Sequence, residues 1–188
     1  MIKLHRVSFA YGDKPIVTDL SLTISADRPV CLFGNSGCGK TTLLRLIAGL
    51  DVPQSGTVSL PSEARIATVF QDDRLLPWLT VRQNIEFVLP SPDPSLVQEC
   101  LAAVELSDDA DRYPRELSGG MKRRVALARA LAYGGDILLL DEPFNGLDLG
   151  LKQRIAAQLQ KRFADCPIVL VTHFEEEAAL LGADIVYL

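Results

Sequence analysis

Residues 34–41 of this 188-residue chain read Gly-Asn-Ser-Gly-Cys-Gly-Lys-Thr, a complete G-x-x-x-x-G-K-[ST] phosphate loop. Glycines let the main chain of such a loop curl, so that successive N–H groups surround phosphate oxygens. Lys40 supplies a cation for the β- and γ-phosphates, and Thr41 supplies a hydroxyl ligand for Mg²⁺. The loop follows the apolar segment Pro29–Phe33 and precedes a helical pattern, which is the context the chemistry requires. It predicts a nucleoside triphosphate site.

Two carboxylates, Asp141 and Glu142, end the apolar segment Ile137–Leu140. At the carboxyl end of a strand, Asp141 would reach the Mg²⁺ shell beside Thr41. Glu142 could accept a proton from a water directed at the γ-phosphate. Taken alone, the pair would be an ordinary acidic turn after a core strand. Together with the phosphate loop, it predicts hydrolysis.

A second glycine motif, residues 117–121, reads Leu-Ser-Gly-Gly-Met and precedes another helical pattern. Its main-chain N–H groups and the Ser118 hydroxyl form a second anion site. In isolation the motif would be a capped helix with a flexible entry. Two phosphate-seeking loops on one short chain indicate one nucleotide held between two copies of the protein.

The composition limits the setting in which the protein works. The formal net charge is -5 and there is no basic run, which argues against a nucleic-acid partner. The apolar runs are too short for a membrane span or a signal peptide. The cysteines lack C-x-x-C spacing, which fits a reducing cytosol and neither a disulfide framework nor a zinc site. They are Cys31, Cys38, Cys100 and Cys166.

Alternating strand and helix patterns predict an α/β fold with a mostly parallel sheet, an N-terminal antiparallel β subdomain and an inserted helical subdomain. We expect one domain over residues 1–188, with the helical insertion at about 72–135. Strands are predicted at Lys3–Phe9, Ile16–Ile24, Pro29–Phe33, Thr57–Leu60, Arg65–Phe70, Ile137–Leu140, Pro167–Thr172 and Asp184–Leu188. Helical segments are predicted after Lys40, from about Leu79 to Tyr133, and over Leu151–Phe163.

The order of these motifs resembles the nucleotide-binding subunit of an ABC transporter over nearly the entire chain. The resemblance implies a phosphate-loop NTPase core that binds ATP and Mg²⁺ and hydrolyses ATP. It implies that Tyr11 stacks on adenine and that Asp148 crosses a dimer interface. The implied nucleotide contacts are Tyr11, Gly34, Asn35, Ser36, Gly37, Cys38, Gly39, Lys40, Thr41, Thr42, Ser118, Gly119, Gly120 and Asp148.

The resemblance also assigns the catalytic and metal positions. Glu142 is then the catalytic glutamate, and His173 is the switch histidine that contacts the γ-phosphate. Gln71 contacts Mg²⁺ and senses the γ-phosphate. The implied catalytic residues are therefore Glu142, His173 and Gln71, and the implied metal-binding residues are Thr41, Gln71 and Asp141.

Two features depart from the family pattern. Met121 stands where the family most often has glutamine, a change that leaves main-chain phosphate contacts intact. The chain stops at Leu188, whereas family members usually continue for several dozen residues. We therefore expect all ATP-site motifs but no C-terminal regulatory domain in this chain.

The segment from Phe70 to Val81 is similar to the ATPases of nitrate, sulfonate and taurine importers. In them it leads toward the groove that receives the membrane subunit. Trp78 lies in this segment, as an interface residue or as a partly buried core aromatic. The resemblance implies a second copy of the chain, a membrane permease and a solute-binding protein as partners. It also implies a location on the cytoplasmic face of the membrane, attached through the permease.

Two alternative functions remain at this point. A phosphate-loop kinase would need a substrate pocket and would not explain the second glycine motif or His173. A soluble ABC ATPase in DNA repair or translation would be expected to carry a second cassette, a coiled coil or a basic surface. Neither alternative accounts for the sequence as fully as a transport ATPase does.

Overall fold

The computed structural model describes residues 1–188, which divide into two compact units. The first unit comprises residues 1–68, 135–141 and 163–188. The second comprises residues 69–134 and 142–162, and so takes in most of the predicted helical insertion. The arrangement of the chain as a single domain with an insertion at 72–135 stays a prediction.

Eight strands form two sheets. A three-stranded antiparallel sheet has the order β2-β1-β4, and a five-stranded sheet has the order β5-β6-β7-β3-β8. The neighbours β6-β7, β7-β3 and β3-β8 are parallel. These features confirm the predicted α/β class. The strands are β1 (Ile2–Tyr11), β2 (Lys14–Ile24), β3 (Val30–Phe33), β4 (Ser55–Ser59), β5 (Ile66–Val69), β6 (Ile137–Asp141), β7 (Ile168–Val171) and β8 (Asp184–Tyr187).

Six α-helices accompany the sheets, and none is both long and apolar enough to cross a bilayer. The first and last belong to the first unit, and the others to the second. Short 3₁₀ turns occupy Ser107–Asp109 and Pro114–Glu116. The helices are α1 (Lys40–Ile47), α2 (Val81–Glu86), α3 (Pro94–Ala103), α4 (Gly119–Tyr133), α5 (Leu149–Arg162) and α6 (Glu175–Leu180).

The core of the first unit explains why its central strands read as uninterrupted apolar runs. Every residue of β6 and β7 is buried, as expected of parallel strands covered on both faces. Leu43, Leu46 and Ile47 of α1 join them in one hydrophobic cluster. This core fixes the carboxyl ends of β3 and β6, the two strands that lead into the phosphate loop and the acidic pair.

The second unit contains the predicted helical region from about Leu79 to Tyr133. Residues 79–133 form three helices, separated by segments that contain Pro92 and Pro114. Asp93 caps α3, and Pro94 stands at the first position of this helix. Helix α4 is buried around most of its circumference. Helix α6 has no counterpart in the prediction, since three successive glutamates conceal its start.

Candidate active site

The phosphate loop leaves β3 and enters α1 through a tight turn. The Cys38 N–H donates to the Asn35 carbonyl at 3.2 Å, and Gly39 adopts φ 102° as the N-cap of α1. A Cβ at Gly39 would approach Cγ2 of Ile16 to 2.9 Å. Both the backbone angle and the packing therefore require glycine here. The turn directs the amino end of α1, where N–H groups lack intrahelical partners, toward the loop.

Lys40 lies across the phosphate loop and is 6% exposed. Its ammonium donates to the carbonyl oxygens of Gly34 at 2.8 Å and of Asn35 at 3.0 Å. The Nζ atom is also 3.8 Å from the Cys38 sulfur. The lysine therefore holds its charge inside the loop, where an anionic ligand would meet it without water between them.

Thr41 and Asp141 come together although 100 positions separate them in the sequence. The Thr41 hydroxyl donates to Oδ2 of Asp141 at 2.9 Å, and Asp141 is 4% exposed. Hydroxyl and carboxylate oxygens suit Mg²⁺, which proteins bind with one or two carboxylates plus substrate phosphates. No cluster of three or more His, Cys, Asp or Glu side chains could hold a metal without substrate. The donor set therefore fits the predicted metal.

Glu142 follows Asp141 directly and belongs to the second unit. It is half-buried and adopts φ 48°, in the left-handed region that non-glycine residues seldom occupy. Backbone strain of this kind persists where the surrounding structure fixes the residue, and it often occurs in active sites. Five other non-glycine residues share this backbone region, so the role of Glu142 as a general base stays a prediction.

Tyr11 ends β1 and is 51% exposed. The Phe9 ring meets it edge-on at a centroid distance of 4.9 Å. Its hydroxyl donates to Oδ2 of Asp51 at 3.2 Å, and Arg45 donates to both oxygens of Asp51 at 2.7 and 3.0 Å. The ion pair therefore braces the tyrosine at its hydroxyl, while much of its surface stays open for the predicted stacking on adenine.

The Arg45–Asp51 pair should make stability depend on pH. Hydrogen bonds and charge from Arg45 hold the pKa of Asp51 below its ordinary value of 3.8. A lowered folded-state pKa gives stability that is present above about pH 4 and lost as the pH falls through the folded-state pKa. Because the pair is partly exposed, we expect Asp51→Asn to lower the free energy of unfolding by only about 1–2 kcal/mol at pH 7.

Urea unfolding at a series of pH values measures this effect. The difference between Asp51→Asn and the unchanged chain should shrink as the pH falls below about 4, because the carboxylate of the unfolded chain then becomes protonated. Asp165→Asn, at an exposed carboxylate with no ion pair in the structure, serves as the matched control. A difference that stays constant over the whole pH range would contradict the role of this pair.

Ser118 is the N-cap of α4 in the second unit. Its hydroxyl accepts a hydrogen bond from the Met121 N–H at 3.3 Å. Ser118 and Gly119 are exposed, and Gly120 is half-buried. A Cβ at Gly120 would come within 3.1 Å of the Gly146 carbonyl oxygen. The loop thus combines exposed N–H groups at a helix amino end with a close main-chain contact that requires a small residue.

Asp148 has a structural role in addition to its predicted one. Its Oδ1 accepts a hydrogen bond from the Leu151 N–H at 3.0 Å, and its carbonyl accepts from the Lys152 N–H. The carboxylate therefore caps α5. Asp148 is exposed. Its predicted place at a dimer interface stays a prediction.

Gln71 and Trp78 lie in the segment that follows β5. Gln71 is exposed, and Arg123 of α4 donates to its carbonyl oxygen. Trp78 is 69% exposed, so it is not the partly buried core aromatic that the sequence left open. The buried amide of Asn84 holds the neighbouring main chain, because it bonds to Leu76 and to the carbonyls of Leu79 and Thr80.

His173 follows β7 in the first unit and is exposed. The buried Thr172 beside it donates its hydroxyl proton to Oε2 of Glu177 at 2.5 Å. The same hydroxyl accepts from the Phe174 N–H at 3.2 Å. These bonds fix the turn on both sides of His173. The glutamate comes from α6, a helix that was not predicted from the sequence.

The sequence also gave no indication that Arg45, Asp51 and Arg123 hold residues of the site in place. Arg45 and Asp51 belong to no motif that sequence analysis recognised, and their partner Tyr11 precedes them by more than 30 residues. Arg123 stands between Lys122 and Arg124, so its neighbours suggest a solvated helix face. The sequence feature that could have indicated its burial is its position among the apolar residues of α4, because a buried arginine needs hydrogen-bond partners.

Several known proteins are similar to this chain in sequence. The family model described as "ABC transporter" matches residues 17–145. The aliphatic sulfonates import ATP-binding protein SsuB 1 of Paracoccus denitrificans is 44% identical, over 100% of this chain and 78% of its own length. The nitrate import ATP-binding protein NrtD of Synechocystis sp. is 42% identical, over 91% of this chain and 70% of its own length.

Solved structures show the same fold. A dimeric ATP-binding cassette, in a post-hydrolysis state bound to ADP and Pi, superposes with a TM-score of 0.89. It is 31% identical in sequence, and the alignment covers 100% of this chain and 94% of that one. A cassette of the same kind in another dimeric structure gives a TM-score of 0.86 over the same coverage.

Proposed function

The chain belongs to the ABC transporter family and is one of its ATP-hydrolysing subunits, and we propose that it powers import of a small oxyanion through a separate membrane permease. The geometric observation that supports ATP hydrolysis is the hydrogen bond from Thr41 to the buried Asp141 at 2.9 Å, beside the phosphate loop that Lys40 crosses. Names of similar chains, which specify sulfonate and nitrate import, support the oxyanion class.

Thr41 and Asp141 would hold Mg²⁺, together with Gln71 as a further ligand. The metal, when bound, would neutralise charge on the β- and γ-phosphates of ATP. Lys40 would exchange its two carbonyl partners for phosphate oxygens. Main-chain N–H groups of residues 34–42 would bind the remaining phosphate oxygens, and Tyr11 would stack on adenine.

Glu142 would accept the proton of the water that attacks the γ-phosphorus, because its strained turn holds it directly after Asp141. His173 would contact the γ-phosphate from the turn fixed by Thr172. The oxygen that bridges the β- and γ-phosphates would leave with the bond electrons, giving ADP and phosphate. Glu142 would therefore serve proton transfer and His173 γ-phosphate contact, from the turns that follow β6 and β7.

A second copy of the chain would complete each site. Ser118 and Gly120 of one copy would close over the γ-phosphate bound by the other, and Asp148 would lie at the contact between copies. ATP would then act as a ligand that binds the closed pair better than the open one. Hydrolysis would remove the bridging phosphate and open the pair.

The membrane partners follow from the transport role. The exposed Trp78 and its neighbouring segment would face the permease, which would keep the chain on the cytoplasmic face of the membrane. A solute-binding protein would deliver the oxyanion from the other side. A kinase role is set aside by the family membership, and the relatives that we compare are transport ATPases rather than DNA-repair or translation ATPases.

Uptake in the source cells tests the proposal. Cells that lack this chain should lose uptake of labelled alkanesulfonate or of nitrate, while uptake of labelled phosphate, as the control, stays normal. The unchanged chain should restore uptake, and Lys40→Ala should not. Normal uptake of both oxyanions in cells without the chain would contradict import of this solute class.

A further inference from the structure

A buried arginine joins α4 to the segment that carries Gln71. The side chain of Arg123 is 8% exposed, and its guanidinium donates to the Phe70 carbonyl at 2.6 Å and to the Gln71 carbonyl. Its Nε lies 3.3 Å from Oδ1 of Asp73. One side chain therefore contacts three of four successive residues where the chain leaves β5.

The chemistry of arginine suits this task. A planar guanidinium has five donors in a fixed fork, so it can donate to two adjacent carbonyls while its charge lies beside a carboxylate. Burial raises the pKa of Asp73, and the Arg123 charge opposes that rise. Holding the peptide groups on both sides of the Gln71 Cα fixes the direction in which the exposed Gln71 side chain leaves the main chain.

Arg123 is also rigidly connected to the second glycine motif. Helix α4 begins at Gly119, directly after the N-cap Ser118, and Arg123 lies in its second turn. A shift of the Ser118 loop that moves α4 would therefore carry the carbonyls of Phe70 and Gln71 with it.

We propose that Arg123 is a positioning residue that couples the Ser118 loop to Gln71, and through them the two ATP sites of a dimer. The inference rests on the proposed function, in which Gln71 serves the nucleotide of its own subunit and Ser118 the nucleotide of the partner. Closure on one ATP then sets the position of Gln71 at the other.

The next residue along α4 provides a matched control. Arg124 donates to the carbonyls of Val104 at 3.0 Å and Glu105 at 2.7 Å, so it too binds two adjacent carbonyls. These carbonyls follow α3 and lie outside the Gln71 segment. If both arginines only hold the main chain in place, Arg123 and Arg124 variants should lose kcat alike. If Arg123 couples the Ser118 loop to Gln71, only the Arg123 variants should lose it.

The experiment measures ATP hydrolysis by the purified full chain, with Mg²⁺, for Arg123→Lys, Arg123→Gln and Arg124→Gln at equal folded fractions. Misplacing Gln71 should lower kcat by about 10- to 100-fold in both Arg123 variants, with KM for ATP unchanged. The Hill coefficient for ATP should fall toward one. Arg123→Lys should not restore kcat, because lysine keeps the positive charge but lacks the forked donors of the guanidinium. Arg124→Gln should keep kcat and the Hill coefficient.

Two results would overturn the inference while the unchanged chain still hydrolyses ATP. One is a normal kcat and Hill coefficient in Arg123→Lys. The other is an equal loss of kcat in Arg123→Gln and Arg124→Gln. An unchanged chain that binds no ATP and hydrolyses none would instead overturn the proposed function, and this inference with it.

Discussion

Glu142→Gln should lower ATP turnover by about 10²–10⁴-fold, the usual contribution of a general base, while ATP binding persists. Glutamine keeps the size and hydrogen-bonding shape of the side chain but cannot accept the proton from the attacking water. The strained φ of 48° at this position already tolerates the native side chain, and glutamine makes the same backbone demand. Steady-state phosphate release with Mg²⁺ and saturating ATP measures the effect.

The same variant tests whether ATP joins two copies of the chain. If the uncleaved γ-phosphate bridges the phosphate loop of one copy and the Ser118 loop of the other, Glu142→Gln should form a stable dimer in ATP, seen by light scattering. Adding Ser118→Arg places a large cation at the exposed N-cap and should return the protein to monomer while binding at the first loop survives.

Glu99→Gln, the same change at an exposed glutamate of α3, is the control and should keep both turnover and oligomeric state. A folded Glu142→Gln protein that stays monomeric in saturating ATP would refute the two-copy clamp, even if its turnover falls. A normal turnover would remove Glu142 from the reaction altogether.

The features that were best predicted from the sequence are those that a local pattern of residues determines. The central strands were predictable because parallel strands covered on both faces must be apolar at every position, as Ile137–Leu140 is. The meeting of Thr41 with Asp141 was predictable because a phosphate loop and an acidic strand end serve one metal in the family, and the structure places them 2.9 Å apart. The functional roles of these residues stay predictions.

What the sequence did not predict depends on contacts between distant segments. The partners of Arg123 precede it by 50 residues or more, and its basic neighbours Lys122 and Arg124 do not distinguish a buried guanidinium from a solvated one. Helix α6 is an exception, because the buried Glu177 and its partner Thr172 are only five residues apart. The three successive glutamates at the start of this helix give no sign that one of them is buried. Such buried charges become visible only with the tertiary structure.

Lys40→Ala should weaken ATP binding by about 100-fold or more, since one charge-assisted contact with phosphate contributes roughly 1.5–3 kcal/mol and Lys40 has several donors. Nearly complete burial of Lys40 strengthens the effect, because little water can replace the missing charge. Equilibrium titration with a labelled ATP analogue and Mg²⁺ measures the affinity.

The loop itself needs a control, because Lys40 also binds the carbonyls of Gly34 and Asn35. Lys40→Met keeps much of the aliphatic stem and removes only the ammonium, so it should lose as much affinity as Lys40→Ala while disturbing the packing less. Lys161→Ala, at an exposed position of α5, should bind ATP normally. If Lys40→Met bound ATP like the unchanged chain while Lys40→Ala did not, the lysine would act by packing the loop rather than by meeting the phosphates.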